Sequence, residues 1–281
     1  MVKIELPAPQ ITPIPLVCDS PHSGTDYPAD FNFAVDFADL RKCEDTHVEK
    51  LWANVPQIGG TLIHALFPRS YVDTNRIEFD IDVDMIDSEW VGRAEPSKRC
   101  LELGNGLFFS KTTTLQPIYD RKLRVAETHN RIRTCWQPYR TALSEALEQA
   151  YRKHGKYWHL NLHSMPSNAY ERLGLPKEKF LADVVLGDLH GAACTAEFTA
   201  FVAASFKRLG YNVSRNDPYA GMDLIAKHGN PELNKQSLQI ELNRALYLDE
   251  NTREPLPQFK KIQTDMHHIQ ADIAAYIQHQ L

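Results

Sequence analysis

Residues 157–162 read Tyr-Trp-His-Leu-Asn-Leu, and the next four, 163–166, read His-Ser-Met-Pro. A short run of apolar and aromatic residues that leads into a proline-containing segment predicts a buried β-strand followed by a loop. Similar short apolar runs recur along the chain. We predict the further strands at 15–19, 61–66, 71–73, 183–187, 211–215 and 238–242.

Helical patterns lie between these strands. In the segment 44–55, Val48, Leu51, Trp52 and Val55 follow the i, i+3, i+4, i+7 spacing of an amphipathic helix. We predict the other helices over about 120–153, 195–209 and 257–280. Strands that alternate with helices predict an α/β fold of three layers, αβα, with helices on both faces of a central mixed, mostly parallel sheet.

The remaining segments are less regular. Residues 1–15 contain four prolines and are predicted to form an extended lead-in. The acidic residues of 78–84 predict a solvated loop, with Asp73 nearby. No linker rich in glycine, proline or serine divides the chain into two compositional halves, so we predict one domain over residues 1–281.

The composition excludes several classes of partner. The 281 residues include 31 Lys and Arg against 36 Asp and Glu, which gives a net charge of −5 and no basic footprint for nucleic acid. No apolar run approaches the roughly 18–20 residues that span a bilayer, so no membrane partner is expected. The amino-terminal residues lack the apolar stretch of a signal peptide, and the five cysteines are dispersed without a CxxC pair. These features predict a cytoplasmic protein with reduced thiols.

Two histidines lie where the site of an α/β protein is expected, just beyond the carboxyl ends of strands. His22 follows the first strand in a Pro-His-Ser-Gly turn, and His163 follows the strand at 157–162. Two histidines and one carboxylate could bind a catalytic metal with a position open for water, although a lone histidine at a strand end can also be purely structural. Asp45 or Glu44 could supply the carboxylate, or could instead cap the predicted helix 44–55.

Other polar residues also follow or interrupt predicted strands. Arg69, Asn75 and Arg76 flank the strand at 71–73, where guanidinium groups could bind a carboxylate or polarise a carbonyl, or could simply be exposed. Glu241 lies between Ile240 and Leu242. Burial there would raise its pKa toward neutrality and suit proton transfer, while an ion pair at the sheet edge is the alternative.

Seven short blocks occur in an order that resembles the N-formylglutamate amidohydrolase (deformylase) family. Together they extend over about residues 15–250, and the ordered set is more specific than any one block. More distantly, the pattern is similar to zinc carboxypeptidases and aspartoacylases, which implies a phosphorylase/hydrolase-like or zinc-exopeptidase-like fold. The blocks are Ser20–Gly24, Asp45–Val48, Pro68–Arg76, Leu162–Pro166, Leu186–Gly191, Asn216–Gly221 and Gln239–Ala245.

The resemblance implies hydrolysis of the N-formyl amide of N-formyl-L-glutamate to formate and L-glutamate, within histidine catabolism. It implies Zn²⁺, or another divalent first-row metal, bound by His22, Asp45 and His163, with Glu44 as the alternative carboxylate. Arg69 would polarise the scissile carbonyl. Glu241 would activate a water and then protonate the leaving amine.

The resemblance further implies a substrate site for a small N-formyl or N-acyl amino acid. Asn75 and Arg76 would hold the substrate α-carboxylate. The remaining substrate-binding residues would be Asn216, Tyr219, Gly221 and Arg244.

Two departures from the family pattern bear on this hypothesis. Asn161 and Leu162 precede His163 where the family usually has Asp-Cys, and an asparagine supplies no charge to the histidine. Met222 follows Gly221 where a second glycine is common, which bears on the identity of the substrate. Two alternatives therefore stay open: a zinc-dependent N-acyl amino-acid amidohydrolase or carboxypeptidase with another substrate, and a non-catalytic carboxylate-binding homologue. The sequence does not predict the oligomeric state.

Overall fold

A seven-stranded sheet organises the computed structural model, which describes residues 1–176 and 179–281. Its strands stand in the order β1-β3-β2-β4-β7-β5-β6. The pairs β1–β3 and β5–β7 are antiparallel, and the other four pairs are parallel. The strands are β1 Val2–Glu5, β2 Leu16–Ser20, β3 Thr61–Ala65, β4 Tyr157–Met165, β5 Val184–Gly187, β6 Val213–Arg215 and β7 Lys235–Asn243.

Helices cover both faces of this sheet. On one face, apolar residues of α2, α7 and α9 pack against alternate residues of the strands. On the other face, α5 and the long segment between β3 and α4 form a second core. The predicted three-layer α/β fold with a mostly parallel sheet is confirmed. The helices are α1 Phe37–Arg41, α2 Val48–Leu51, α3 Lys98–Leu103, α4 Val125–Arg131, α5 Gln137–His154, α6 Ala169–Arg172, α7 Ala196–Arg208, α8 Asp223–His228 and α9 Phe259–His279.

The helix predicted over 44–55 is wrong in length, because α2 contains only Val48–Leu51. The backbone turns at His47, whose φ is 68°, and Pro56 lacks the N–H needed to continue a helical hydrogen-bond series. Asp45 lies before α2, and no side chain caps this helix. Asp45 is thus free to contact residues of the sheet.

Two segments between β3 and α4 differ from the sequence prediction. Residues 71–73 form a turn rather than a strand, and the Asp73 backbone N–H donates to the Leu107 carbonyl at 2.8 Å. The predicted solvated loop at 78–84 contains a buried carboxylate, Asp80. Both outcomes arise because the segment between β3 and α4 covers a face of the sheet and satisfies its polar groups inside the protein.

Two further boundaries differ from the predictions. Part of the lead-in at 1–15 is β1, which pairs with the edge of the sheet at β3. The helix predicted over 120–153 is divided into α4 and α5 by a π-helical turn, Ile132–Trp136. Pro138 at the start of α5 cannot donate a backbone hydrogen bond, which interrupts the regular series. No helix among the described residues is both long and apolar enough to span a membrane.

Candidate active site

Polar side chains cluster on one face of the central strands. On β4, Leu160 and Leu162 belong to the core beneath α7 and α9, so His159, Asn161 and His163 point to the opposite face. The parallel register then brings polar residues of the neighbouring strands beside them. We call this set the polar stripe: Asp19 on β2, His159, Asn161 and His163 on β4, and Ser237, Gln239 and Glu241 on β7.

His22, Asp45 and His163 converge at the carboxyl end of the polar stripe. Asp45 Oδ2 lies 3.1 Å from His163 Nδ1 and 3.5 Å from His22 Nδ1. The two imidazole rings have centroids 4.7 Å apart, and all three side chains are buried. One ligand atom from each residue lies within 4.8 Å of the others. The structure therefore brings together the three predicted metal ligands.

The chemistry and spacing of this group fit a divalent metal ion. Ligand atoms about 2.0–2.2 Å from a tetrahedral ion are separated from each other by about 3.3–3.5 Å, close to the two Asp45–imidazole distances. His22 Nδ1 is buried and has no hydrogen-bond partner in the described part of the chain. This nitrogen has an unused lone pair and faces the Asp45 carboxylate and the His163 imidazole. Together the three groups form the donor set of a two-histidine, one-carboxylate metal centre.

Hydrogen bonds on the far side of each ring orient the two histidines. His22 Nε2 lies 2.6 Å from Asp73 Oδ1 and donates to it. His163 Nε2 lies 2.6 Å from Asn161 Oδ1 and 3.2 Å from Asn75 Nδ2, so its acceptor is the Asn161 oxygen. Both rings thus carry their proton on Nε2 and leave Nδ1 free to bind a cation.

Asp45 is held in its ionised form. Burial opposes the charge, but the positive charge of Arg244 favours it, and the pKa of Asp45 lies well below its usual range. Arg244 Nη2 donates to Asp45 Oδ1 at 2.7 Å, and Arg244 Nε donates to Ser164 Oγ at 3.1 Å. Arg244 lines the cavity, as a predicted substrate-binding residue should, but most of its donors serve Asp45 and neighbouring backbone.

Glu44, the alternative carboxylate, does not join the histidines. It is buried with Tyr27, whose hydroxyl donates to it at 2.7 Å, and with Thr46, whose hydroxyl donates at 2.9 Å. Adjacent residues of a turn point in different directions, which is why Asp45 reaches the cluster and Glu44 does not.

Arg69 lies beside the histidine and aspartate cluster. Its Nε and Nη2 donate to Asp73 Oδ2 at 3.2 and 2.7 Å, and its Nη1 lies 3.8 Å from Asp45 Oδ1. The position of its guanidinium is therefore set by two buried carboxylates, while the side chain lines the cavity.

Asn75 and Arg76 also line the cavity and are held by the surrounding chain. The Asn75 side-chain oxygen accepts from the Leu224 N–H at 3.0 Å. Arg76 donates through Nε to the Asn105 carbonyl at 3.0 Å and through Nη1 to the Asn75 carbonyl at 2.9 Å. Neither of these two hydrogen bonds uses its Nη2.

Glu241 stands next to His163 in the paired strands. Burial is the main reason that the pKa of Glu241 is raised to about 7, and the charge of Asp45 raises it further against the opposing influence of His163. Gln239 Nε2 donates to Glu241 Oε1 at 3.1 Å. A carboxylate that takes up or releases a proton near neutral pH is suited to act as a base and then as an acid.

The predicted loop 216–221 is only partly at the site. Tyr219 and Gly221 line the cavity, and a Cβ added to Gly221 would lie 2.1 Å from Ile225 Cδ1. Asn216 does not line the cavity: its Nδ2 donates to Asp188 Oδ1 at 2.8 Å, and its Oδ1 accepts from the Asp188 N–H. Asn216 stabilises the loop and makes no contact with the cavity.

The cavity itself has a volume of about 550 Å³, and most of the charged residues in its lining are basic. Among the described lining residues, six are basic and only two, Glu171 and Glu241, are acidic. A cavity of this charge concentrates anionic ligands even though the whole chain carries a net charge of −5. The six basic residues are Arg69, Arg76, Lys111, Arg99, Arg172 and Arg244.

Three residues of the site were not assigned a role from the sequence. Asp73 lies four residues after Arg69 in the quoted block 68–76, and this spacing could have indicated its pairing with that arginine. Arg99 and Arg172 lie outside every quoted block, and no local pattern distinguishes them from exposed arginines.

The site brings together two imidazoles and an aspartate that could hold a metal, and next to them a glutamate whose pKa is raised to about 7; these are the groups that metal-assisted hydrolysis uses. A sequence profile for N-formylglutamate amidohydrolase matches residues 14–248. The chain therefore belongs to the N-formylglutamate amidohydrolase family and is a hydrolase that acts on an amide bond, so the resemblance is confirmed.

Individual relatives agree with this assignment. The N-formylglutamate deformylase of Pseudomonas aeruginosa is 24% identical over 242 residues, which cover 84% of this chain and 83% of that protein. A crystal structure of N-formylglutamate amidohydrolase from Ralstonia eutropha JMP134 is 47% identical, covers 100% of this chain and 99% of that one, and has a TM-score of 0.96. A gene product of Agrobacterium tumefaciens is only 14% identical, with a TM-score of 0.62 over 98% of this chain and 95% of that one, and shares the fold.

Proposed function

We propose that this protein hydrolyses N-formyl-L-glutamate to formate and L-glutamate, with a divalent first-row metal, Zn²⁺ first among them, held by His22, Asp45 and His163. The observation that carries the proposal is the convergence of these three residues next to Glu241 and Arg69 in a basic cavity. The names of the relatives support the choice of substrate. The cytoplasmic location and the role in histidine catabolism stay predictions from the sequence.

A divalent metal held by this group would supply a Lewis acid and would lower the pKa of a bound water toward about 7. The protein's own contribution begins with the outer contacts of the ligands. Asp73 and Asn161 hold the Nε2 protons of the two rings, and Arg244 holds one oxygen of Asp45. These contacts fix the direction of all three ligand atoms before any ion or substrate arrives.

Glu241 performs the proton transfers. Its carboxylate accepts a proton from the water that attacks the formyl carbon, so a new C–O bond forms. It then delivers that proton to the amide nitrogen as the C–N bond breaks. The products are formate and L-glutamate with a free amino group. Burial raises the pKa of Glu241 to about 7, which allows both steps near neutral pH.

Arg69 stabilises the negative charge that develops on the formyl oxygen. Its guanidinium faces the cluster with one nitrogen, Nη1, that is not bonded to Asp73. Arg76 offers its Nη2 to the substrate α-carboxylate, with Asn75 beside it on the cavity wall. Charge-assisted contacts of this kind orient the substrate so that its formyl group reaches Glu241 and the metal ligands.

The asparagine at position 161 favours catalysis over a purely binding role. The departure of Asn161 from the family pattern is the one feature of the sequence that favours a non-catalytic homologue. Its oxygen accepts from His163 Nε2 at 2.6 Å, while its nitrogen donates at 2.8 Å to Asp19, a buried carboxylate. Asp19 thus supplies the negative charge that an aspartate at position 161 would supply, and Asn161 connects it to His163.

The test is a comparison of substrates with the purified protein. Formate release is measured from N-formyl-L-glutamate, and hydrolysis of the N-acetyl and N-carbamoyl analogues is measured in parallel. We expect the N-formyl compound to be hydrolysed with the highest kcat/KM, and His22→Ala with His163→Ala to lose both bound metal and turnover. Faster hydrolysis of another N-acyl compound would favour the alternative amidohydrolase. Metal and ligand binding without turnover would favour the non-catalytic homologue.

A further inference from the structure

Among the arginines that line the cavity, Arg99 differs from Arg69 and Arg244 in its partners. Arg69 is paired with Asp73, and Arg244 is paired with Asp45. Arg99 is mostly buried, yet within the described chain it forms no ion pair, and its buried Nε has no hydrogen-bond partner. A guanidinium in this situation has lost much of its hydration without gaining a protein partner, which is unfavourable unless a ligand provides one.

The electrostatic surroundings of Arg99 also favour an anionic ligand. Burial lowers the pKa of Arg99, and the charge of Arg69 lowers it further, against the opposing influence of Tyr219, Asp73 and Glu241. Burial likewise lowers the pKa of Arg76 to about 10, and Arg99 adds to this effect against the attraction of Asp73. Two neighbouring guanidinium groups that repel each other at one cavity are stabilised by a ligand that brings more than one negative charge.

The backbone around Arg99 is held firmly. Arg99 is the second residue of α3, whose N-cap is Ser97. The buried carboxylate of Asp80 accepts from the Ser97 N–H at 2.6 Å and from its hydroxyl at 3.1 Å, and Ser97 Oγ accepts from the Cys100 N–H at 3.1 Å. Arg99 therefore extends from an anchored helical turn, and presenting its guanidinium to a ligand requires little ordering of the backbone.

We propose that Arg99 binds the side-chain carboxylate of the substrate while Arg76 binds the α-carboxylate, so that Arg99 determines the preference for acidic amino acids. This inference rests on the proposed function, because it assigns the second charge of N-formyl-L-glutamate to a residue. A planar guanidinium can bind a carboxylate through two parallel hydrogen bonds, which gives both affinity and orientation.

The experiment removes the positive charge of Arg99 from the enzyme and, separately, the negative charge of the side-chain carboxylate from the substrate. N-formyl-L-glutamine has the shape of N-formyl-L-glutamate without the side-chain charge. For the wild-type enzyme we expect kcat/KM to be roughly 10- to 100-fold higher with the glutamate compound, the value of a charged hydrogen bond. Arg99→Met is expected to lower kcat/KM for the glutamate compound by a similar factor and to change it for the glutamine compound by less than about 3-fold.

Two control variants separate specificity from structural damage. Arg172→Met removes another partly buried arginine of the same cavity, and we expect it to leave the ratio of the two substrates unchanged. Arg99→Lys keeps the charge and should restore part of the preference. Equal losses on both substrates in Arg99→Met, or a collapse of the ratio in Arg172→Met instead, would overturn the assignment of Arg99.

The same data distinguish this inference from the proposed function. A wild-type enzyme that deformylates both compounds equally well overturns the role of Arg99 and leaves deformylation intact. A wild-type enzyme with bound metal that releases formate from neither compound overturns the proposed function itself.

Discussion

The two faces of β4 bury side chains of opposite character. Leu160 and Leu162 pack into the apolar core beneath α7 and α9, whereas Asn161 and His163 belong to the polar stripe. The apolar face gains stability from packing alone. On the polar face, hydrogen bonds join Asp19 to Asn161, Asn161 to His163 and Gln239 to Glu241, and beside the carboxyl end of the stripe His22 Nδ1 has no hydrogen-bond partner in the described part of the chain. Alternate residues of β4 thus have different roles: Leu160 and Leu162 stabilise the fold, and Asn161 and His163 form part of the candidate site.

This comparison predicts that the largest loss of activity arises at the end of the polar stripe. Glu241→Gln keeps the shape and the hydrogen-bonding capacity of the side chain but cannot accept the proton. We expect kcat to fall by roughly 10²–10⁴-fold while the free energy of unfolding is not reduced. Steady-state kinetics and urea unfolding are the measurements. Near-wild-type turnover would contradict the role of Glu241 as base.

The opposite result is expected on the apolar face. Leu160→Ala should reduce the free energy of unfolding by about 2–5 kcal/mol, because a fully buried side chain leaves a cavity. Enzyme that stays folded should keep kcat within about 3-fold of wild type, since Leu160 points away from the polar stripe. A large fall in kcat with unchanged stability would show that the two faces are not separable.

Arg69 tests whether the cavity stabilises developing negative charge. Arg69→Ala should lower kcat by roughly 10²–10³-fold, as for the loss of one donor to an oxyanion. Arg69→Lys retains charge without the two-pronged contact to Asp73, and we expect an intermediate rate. A change confined to KM would instead assign Arg69 to ground-state substrate binding.

The interior of the polar stripe should give a smaller, pH-dependent effect. Burial opposes ionisation of Asp19, but hydrogen bonds from His159, Tyr139 and Asn161 keep the pKa of Asp19 below its ordinary value. The carboxylate therefore stabilises the fold above its unfolded pKa of about 3.9, and this stabilisation disappears as the pH falls through the lower, folded pKa.

Asp19→Asn is the variant that measures this contribution. We expect it to reduce the free energy of unfolding by about 1–3 kcal/mol at pH 7 and by progressively less below pH 4. Urea unfolding at several pH values is the measurement. If the variant lowers the free energy of unfolding by the same amount at pH 7 and below pH 4, the charge of Asp19 does not contribute to the stability of the polar stripe.

The sequence predicts the layers well because their signals are local. Periodicity within ten to fifteen residues reveals β2, β4, β7, α7 and α9 without knowledge of their neighbours. It is less informative for β1, whose four residues depend on pairing with β3, and for the helix predicted over 44–55, which the turn at His47 interrupts. Propensity is a weak guide where tertiary contacts decide the backbone.

At the candidate site, too, the sequence predicts some features and tertiary contacts decide others. The family blocks contain His22, Asp45, His163 and Glu241, and the sequence leaves Glu44 open as the alternative to Asp45. The choice depends on the direction in which each side chain leaves the turn, which sequence spacing does not determine. Arg99 could not be distinguished at all, because an arginine without a partner looks the same in sequence as an arginine in solvent.

By itself, the sequence of this protein determines the α/β layers, the family and the identity of most groups at the site. Only the tertiary structure decides that Asp45 meets two histidines, one of them 118 positions further along the chain, and that Arg99 is left without a partner. The physical reason is that hydrophobic periodicity acts over a few residues, whereas a ligand set is formed where segments distant in sequence are packed together.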